Sequence, residues 1–172
     1  MRQIQYIMKP QDVVILLKII ALGSEPWQQI PLAEALNMSQ SEISQSLVRS
    51  KYAGLIDSTG KNVMRMGFMD FLQYGLAYVF PQKPGSIVRG IPTAHSAPPL
   101  NSIIQSEELY VWPSASGQAR GHSIVPLYPS VVEAVMKDEN LYQLLALADA
   151  LRVGRVRERN LAVEELKKRI CL

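Results

Sequence analysis

A row of short polar side chains lies close together in the stretch "NMSQSEISQSLVRSKY", and their types suit hydrogen bonding to a partner. The row consists of Ser39, Gln40, Ser41, Ser44, Gln45 and Ser46. Serine is a mediocre helix former, so these residues add little to the stability of an exposed helix. Hydroxyl groups can donate to phosphates or base edges without steric demand, and a glutamine can pair with an adenine edge. The residue types therefore indicate a binding surface.

Two short helices must position this row. The segment "PLAEAL", with Pro31 near its start, predicts the first helix. Asn37 stands at the turn, because asparagine tolerates left-handed backbone. Ser39 and Glu42 fit a capping box that begins the second helix, which runs to about residue 53 and ends at Gly54.

The apolar spacing of the second helix decides which face stays free. Ile43 and Leu47 point inward and turn Ser44 and Gln45 outward. Two helices joined by a three-residue turn hold the second one where it can enter a DNA major groove, and its first N–H groups suit a phosphate. The polar face therefore has two interpretations, DNA binding or a solvated face on a structural three-helix core.

The stretch "IPLAEALNMSQSEISQSLVRSKYAGLI", residues 30–56, resembles the winged helix-turn-helix of MarR-like bacterial transcriptional regulators, whose pattern runs "LAEALGLSxSxVSxxLxxLxxAGLI". With flanking helices, the resemblance covers residues 1–80. It implies that the helix from Gln40 binds the major groove while a β-hairpin wing touches the adjacent backbone. Segment 49–65 also carries four basic residues against one acid. The predicted DNA contacts are Ser39, Gln40, Ser41, Ser44, Gln45, Arg49, Lys51, Lys61 and Arg65.

Departures from that pattern lower the affinity expected of a single module. Glu42 adds a negative charge near the groove, and Gln45 occupies a position that is often basic. The wing-like turn at 58–62 is short. We therefore expect a homodimer to bind two half-sites of double-stranded DNA.

Composition excludes several other classes of protein. The 172-residue chain carries a net charge of +3, which permits nucleic-acid binding without demanding it. No apolar run approaches the roughly 20 residues needed to span a bilayer, and residues 1–14 lack a signal-peptide pattern. These features predict a cytoplasmic protein with no membrane partner. The lone Cys171, and histidines 27 positions apart, argue against a disulfide, a zinc site or any cofactor.

Beyond residue 80 the composition changes. Five of the eleven prolines fall in residues 81–101, which predicts a long loop. Residues 107–126 predict two short strands as a small β-hairpin around a Ser/Gly turn, and the rest is helical. The expected fold is mainly α, with a winged helix-turn-helix domain at 1–80 and a dimerisation or partner-binding region at 81–172.

A second group of polar residues falls in this later region. Its members are Arg89, Thr93, His95, Arg120 and His122. A histidine could act as a general base beside a serine, the group could line a ligand or partner pocket, or Arg89 and His95 could cap loop carbonyls. The chain lacks a G-x-S-x-G elbow, and carbonyl capping is favoured over catalysis. We therefore expect a protein that is not an enzyme.

The resemblance implies a sequence-specific transcriptional regulator that acts as a dimeric repressor. Small MarR-like proteins also accompany toxin genes as repressor-antitoxins. The alternative function is therefore an antitoxin-like protein, in which residues 81–172 neutralise a cognate protein partner and the DNA-binding helices regulate its own operon.

Overall fold

Helices dominate the fold over residues 6–172, which the computed structural model describes. In chain order they are α1 (Pro10–Ala21), α2 (Gln29–Leu36), α3 (Gln40–Tyr52), α4 (Arg65–Tyr74), α5 (Leu76–Val79), α6 (Val131–Ala134), α7 (Glu139–Val153) and α8 (Val156–Ile170). Three strands, β1 (Ile87–Pro92), β2 (Tyr110–Pro113) and β3 (Ala119–Ser123), form one small sheet. Within residues 6–172 no helix is long and apolar enough to cross a bilayer.

Helix α1 is buried along most of its length because its sequence is apolar on every side. Nine consecutive residues, 12–20, are buried, as expected for a helix with no polar face. Pro10 occupies its first turn, and Gly23 follows its end with a φ of +68°. The helix packs against both α3 and α7. It therefore links the polar row of α3 to the C-terminal half of the chain.

The predicted pair of helices around the first polar row is confirmed. Asn37 ends α2 in the left-handed conformation, with φ 51° and ψ 42°, and residues 37–39 make the turn. The Ser39 Oγ accepts a hydrogen bond from the Glu42 N–H at 3.1 Å. The carboxylate of Glu42 instead accepts from Gln11 and Arg49. Only the serine half of the predicted capping box is therefore formed.

After α3 the chain forms a tight turn in place of a long hairpin. A single β-bridge joins Ile56 to Val63, and the Asp57 carboxylate accepts hydrogen bonds from Thr59 and Asn62. These bonds hold the pKa of Asp57 well below its usual range. The β-hairpin wing that the resemblance implies therefore stays a prediction.

The predicted β-hairpin at 107–126 is wrong. Strands β2 and β3 form as expected, but they lie parallel, with Tyr110 opposite His122. Both pair antiparallel with β1, which lies inside the segment predicted to be a loop. Strand β1 pairs with both β2 and β3, and its proline, Pro92, stands at its last position, after which the Thr93 N–H donates to the Tyr110 carbonyl oxygen at 2.9 Å. The long-range pairing with β1 replaces the local hairpin.

Glycines allow the three strands to close on one another. A Cβ on Gly90 would lie 2.0 Å from the Trp112 carbonyl oxygen, and one on Gly121 would lie 2.4 Å from the Leu109 carbonyl oxygen. Both positions are buried. The strands therefore approach so closely that no side chain fits at either point.

Buried side chains from both halves of the chain form a single continuous core. It includes Leu36 and Phe68 from the first 80 residues, and Trp112, Leu144 and Leu166 from the remainder. Contacts between α1 and α7, α4 and α8, and α5 and α7 connect the halves. The predicted domain boundary between residues 80 and 81 stays a prediction. The hydrophobic core continues across it without a gap.

We expect Gly90→Ala to lower the free energy of unfolding by about 1–3 kcal/mol or more, because the added methyl group overlaps backbone atoms. The control is Gly67→Ala in α4, where an added Cβ meets nothing within 4 Å. That change should stabilise the protein by about 0.5–1 kcal/mol through helix propensity. Urea unfolding followed by circular dichroism measures both, and equal midpoints would contradict the close strand approach.

Candidate functional site

One face of α3 is exposed and polar. Ser41, Ser44 and Gln45 are open to solvent, and Val48 and Tyr52 continue the same face. The Gln45 Nε2 donates to the Ser41 Oγ at 3.0 Å, which holds the amide along the helix surface. The predicted outward orientation of these side chains is confirmed.

The start of α3 contributes two further exposed residues, and its end an exposed aromatic ring. Ser39 and Gln40 are exposed, and the Ser39 hydroxyl can still donate while its oxygen caps the helix. Tyr52, with 70% of its surface exposed, stacks on Tyr6 with ring centroids 4.0 Å apart. Ser46 faces the other way and is buried, with no partner for its hydroxyl within residues 6–172.

Arg49 has a structural role that differs from the predicted one. Its side chain is buried, and its Nε and Nη2 donate to the two oxygens of Asp12 at 2.9 and 2.8 Å. The Nη2 also lies 3.3 Å from the Glu42 Oε1. The hydrogen bond to Asp12 raises the pKa of Arg49, and the bond from Gln11 is the main cause of a lowered pKa for Glu42. We therefore correct the predicted DNA contact of Arg49, since its guanidinium fastens α3 to α1.

The three other predicted cations have different surroundings. Lys51 is exposed near the end of α3. Lys61 is exposed but held, because its Nζ donates to the Trp27 carbonyl oxygen at 3.0 Å and lies 4.3 Å from the centre of the Trp27 ring. Arg65 is half-buried and donates to the Ile170 carbonyl oxygen at 3.0 Å. Two of the predicted basic contacts, Lys51 and Lys61, therefore remain fully at the surface.

The second group of polar residues does not line one common pocket. Thr93 and His95 are buried, whereas Arg89 and Arg120 are exposed. The two arginines stand directly opposite each other on β1 and β3. Like charges at such positions repel each other, so this pair does not stabilise the sheet. The structure thus separates two surface cations from two interior groups.

Thr93 belongs to a buried hydrogen-bond network around Asp149 in α7. The Thr93 Oγ1 and the Trp112 Nε1 each donate to the Asp149 Oδ2 at 2.7 Å, and the Arg152 Nη1 donates to its Oδ1 at 2.9 Å. Asp149 is 1% exposed. Burial raises the pKa of Asp149, while Arg152 and the two hydrogen bonds oppose that rise. This network attaches the sheet to α7.

Both histidines lie against backbone carbonyl groups. The His95 Nε2 is 2.8 Å from the Glu108 oxygen, and the His122 Nδ1 is 2.9 Å from the Gly85 oxygen. The Ser96 hydroxyl is 3.4 Å from the His95 Nε2 and already accepts from the Tyr110 N–H, which makes a poor nucleophile–base pair. Carbonyl capping is confirmed for His95. His122 has the same role.

Sequence reasoning missed the acids on which both buried networks depend. Asp149 is the only acid within the apolar run "LLALADALRV", and Asp12 precedes the apolar run of α1. A charged residue within or beside an apolar run of a helix is rarely buried without a partner. Applied to the sequence, that rule would have predicted a buried partner for both Asp12 and Asp149.

No protein-family model, curated protein or solved structure matches this chain. Within residues 6–172 no group of histidine, cysteine, aspartate and glutamate side chains could hold a metal ion.

We expect Arg49→Ala to destabilise the protein by about 3–5 kcal/mol, because it leaves the Asp12 carboxylate buried without its charged partner. The matched control is Lys51→Ala, two residues along the same helix but exposed, which should change stability by less than about 0.5 kcal/mol. Thermal or urea unfolding measures the difference. Similar values for the two variants would contradict a structural role for Arg49.

Burial of Asp149 also predicts a pH dependence of stability. A carboxyl whose pKa is raised on folding contributes stability that is fully present below its unfolded pKa and is lost as the pH rises through the folded pKa. The unfolding free energy of the wild type minus that of Asp149→Asn should therefore fall as the pH rises above the ordinary aspartate pKa of about 3.9. Urea titrations at several pH values test this, and a constant or rising difference would contradict it.

Proposed function

We propose that this chain binds double-stranded DNA through the exposed face of α3 and acts as a sequence-specific transcriptional regulator, a dimeric repressor. The observation that carries the proposal is the α2–turn–α3 unit, which leaves one polar helix face open beside a three-residue turn. Such a unit can insert its second helix into a major groove. The proposal includes no catalytic step.

Each exposed residue of α3 has a role that matches its chemistry. Ser41 and Ser44 are short enough for close approach to the backbone or base edges. Gln45 can pair with an adenine, because its bond to Ser41 orients the amide and leaves Oε1 and one N–H unused. Val48, 48% exposed, can contact a thymine methyl group. Lys51 would reach a phosphate.

The anchoring of α3 supports the proposal. A helix that reads DNA must keep its orientation in the groove, and the hydrogen bonds from the Nε and Nη2 of Arg49 to both oxygens of Asp12 fasten the inner face of α3 to the buried helix α1. Ile43 and Leu47 are buried on this same inner face. The outer face is therefore presented on a rigid support.

Within residues 6–172, few of the predicted phosphate contacts stay available on one copy of the chain. Lys51 and Lys61 are the predicted cations that stay at the surface, and Lys61 lies in the turn that would serve as a wing. Each phosphate contact accounts for about 0.9 of the slope of log affinity against log salt. Because the salt slope expected for one protomer is small, we favour binding by two copies of the chain on two half-sites.

Fluorescence anisotropy on DNA from the chain's own upstream region, against scrambled DNA across a salt series, tests the function. Specific binding should exceed non-specific binding by about a thousandfold. The double change Ser44→Ala with Gln45→Ala should erode that ratio. The matched control is Ser116→Ala with Gln118→Ala, the same residue types exposed in the loop between β2 and β3. That control should leave the ratio unchanged.

Two results would overturn the proposal. Equal, weak binding to both DNAs that vanishes with modest salt would mean that α3 is scaffold. Equal losses in the α3 variant and the loop variant would place the contact elsewhere. The first result would favour the alternative in which the chain neutralises a protein partner.

A further inference from the structure

Two arginines lie side by side on the surface of the small sheet. Arg89 of β1 and Arg120 of β3 are directly opposite each other in the antiparallel register, and both are exposed. The Cβ atoms of such a pair are about 4.5–5.5 Å apart, and like charges at this separation destabilise a sheet. The fold therefore holds two cations together against their mutual repulsion.

Within residues 6–172 no carboxylate forms an ion pair with either arginine, because the ion pairs there join other side chains. Residues 71–132, which include the whole sheet, contain only two acids, Glu107 and Glu108. The Oε2 of Glu108 lies 3.7 Å from the Nη2 of Arg155 in α8. The two positive charges on the sheet are therefore open to an anion from outside this part of the chain.

The neighbours of the two arginines on the same face are a histidine ring and an apolar side chain. His122 follows Arg120 by two residues, which places it on the same face of β3, and Ile87 of β1 stands directly opposite it. The His122 Nδ1 lies 2.9 Å from the Gly85 oxygen, which fixes the ring beside the pair. Ile87 is 58% exposed. An organic group attached to a bound anion therefore finds an apolar surface next to the two guanidinium groups.

A dianionic phosphate group matches this pair in charge and in shape. Each guanidinium presents its N–H donors in a planar fork that suits two phosphate oxygens. A phosphate monoester carries about −1.5 to −2 charges at pH 7 and offers three acceptor oxygens. A carboxylate or a phosphodiester carries only one negative charge, so it compensates half of the charge of two arginines. The pair therefore favours a free or terminal phosphate over either of these groups.

We propose that Arg89 and Arg120 bind a dianionic phosphate group, as free phosphate or as the terminal phosphate of a small ester whose organic part lies beside Ile87. The phosphate relieves the repulsion between the two guanidinium groups. The site is on the sheet and separate from the polar face of α3, so the proposal does not depend on DNA binding.

Isothermal titration calorimetry of the full chain at constant ionic strength tests the ligand chemistry. The probes are inorganic phosphate, phenyl phosphate and acetate, at a pH of about 7.5, where a phosphate monoester is mostly dianionic. We expect the tighter of the two phosphates to bind at least about tenfold more tightly than acetate. Tighter binding of phenyl phosphate identifies an ester as the ligand, and tighter or equal binding of inorganic phosphate identifies the free ion.

Three results of that titration would overturn the proposal. Equal affinities for phosphate and acetate would show that the pair does not distinguish a dianion from a single charge. Absence of binding by both phosphates would leave the site without its ligand. Loss of affinity for a scrambled DNA duplex in a chain carrying Arg89→Gln and Arg120→Gln, with no binding of either phosphate, would assign the two arginines to a nucleic-acid backbone instead.

Charge reversal at one arginine separates binding from folding. Arg89→Glu places a carboxylate opposite Arg120, so it should raise the urea unfolding midpoint in the absence of phosphate. It should also abolish the further rise that phosphate produces in the wild type by binding to the folded state. A structural role for Arg89 would give the opposite sign, with a lower midpoint in the variant.

The matched control is Arg157→Glu, the same change at an exposed arginine of α8. Phosphate also stabilises proteins by its exclusion from their surfaces, and this control measures that general effect together with the specific one. The control should keep the full phosphate-dependent rise of the wild type. An equal rise in Arg89→Glu and Arg157→Glu, or a lower midpoint for Arg89→Glu without phosphate, would contradict the site.

Discussion

The burial of α1 over residues 12–20 is the constraint on which most of this structure depends. A helix without a solvent face must find a partner inside the protein for every charged side chain it carries, because an unpaired buried charge is prohibitively costly. Asp12, at one end of α1, pairs with Arg49 of α3. Lys18, near the other end, pairs with Asp138 at 2.5 Å. Asp138 also caps α7 through the Leu141 N–H. One helix thus orients both halves of the chain.

Helix α7 repeats the same solution on the other side of the core. Its buried acid, Asp149, accepts hydrogen bonds from the segment after β1, from β2 and from its own helix. Tyr142 adds a bond to the Pro92 carbonyl oxygen at 2.6 Å, and burial raises the pKa of Tyr142 to about 12. The small sheet is therefore held to α7 by directional polar contacts as well as by apolar packing.

These two anchors have different consequences for function. The contact with Asp12 uses Arg49, a cation that was predicted to contact DNA. It also holds α3 in place, so that the exposed face with its serines and Gln45 has a fixed orientation. Arg152 donates one hydrogen bond to Asp149 and two to the carbonyl oxygens of Phe80 and Val125, so its guanidinium is held between α7 and two loop segments. In both places, the hydrogen bonds that a buried acid requires decide where an arginine side chain is placed.

Local rules of the sequence determined α1, α2, the turn and α3. Asn37, Ser39 and Gly54 act on backbone within a few residues of themselves, so their effects can be predicted from neighbours alone. Only the tertiary structure decided that β2 and β3 lie parallel and that Arg49 pairs with Asp12. Strand β1 stands some twenty residues before β2, and Asp12 stands 37 residues before Arg49. Hydrogen bonds and ion pairs over such separations depend on where the core brings chain segments together, which the periodicity of a single segment does not encode.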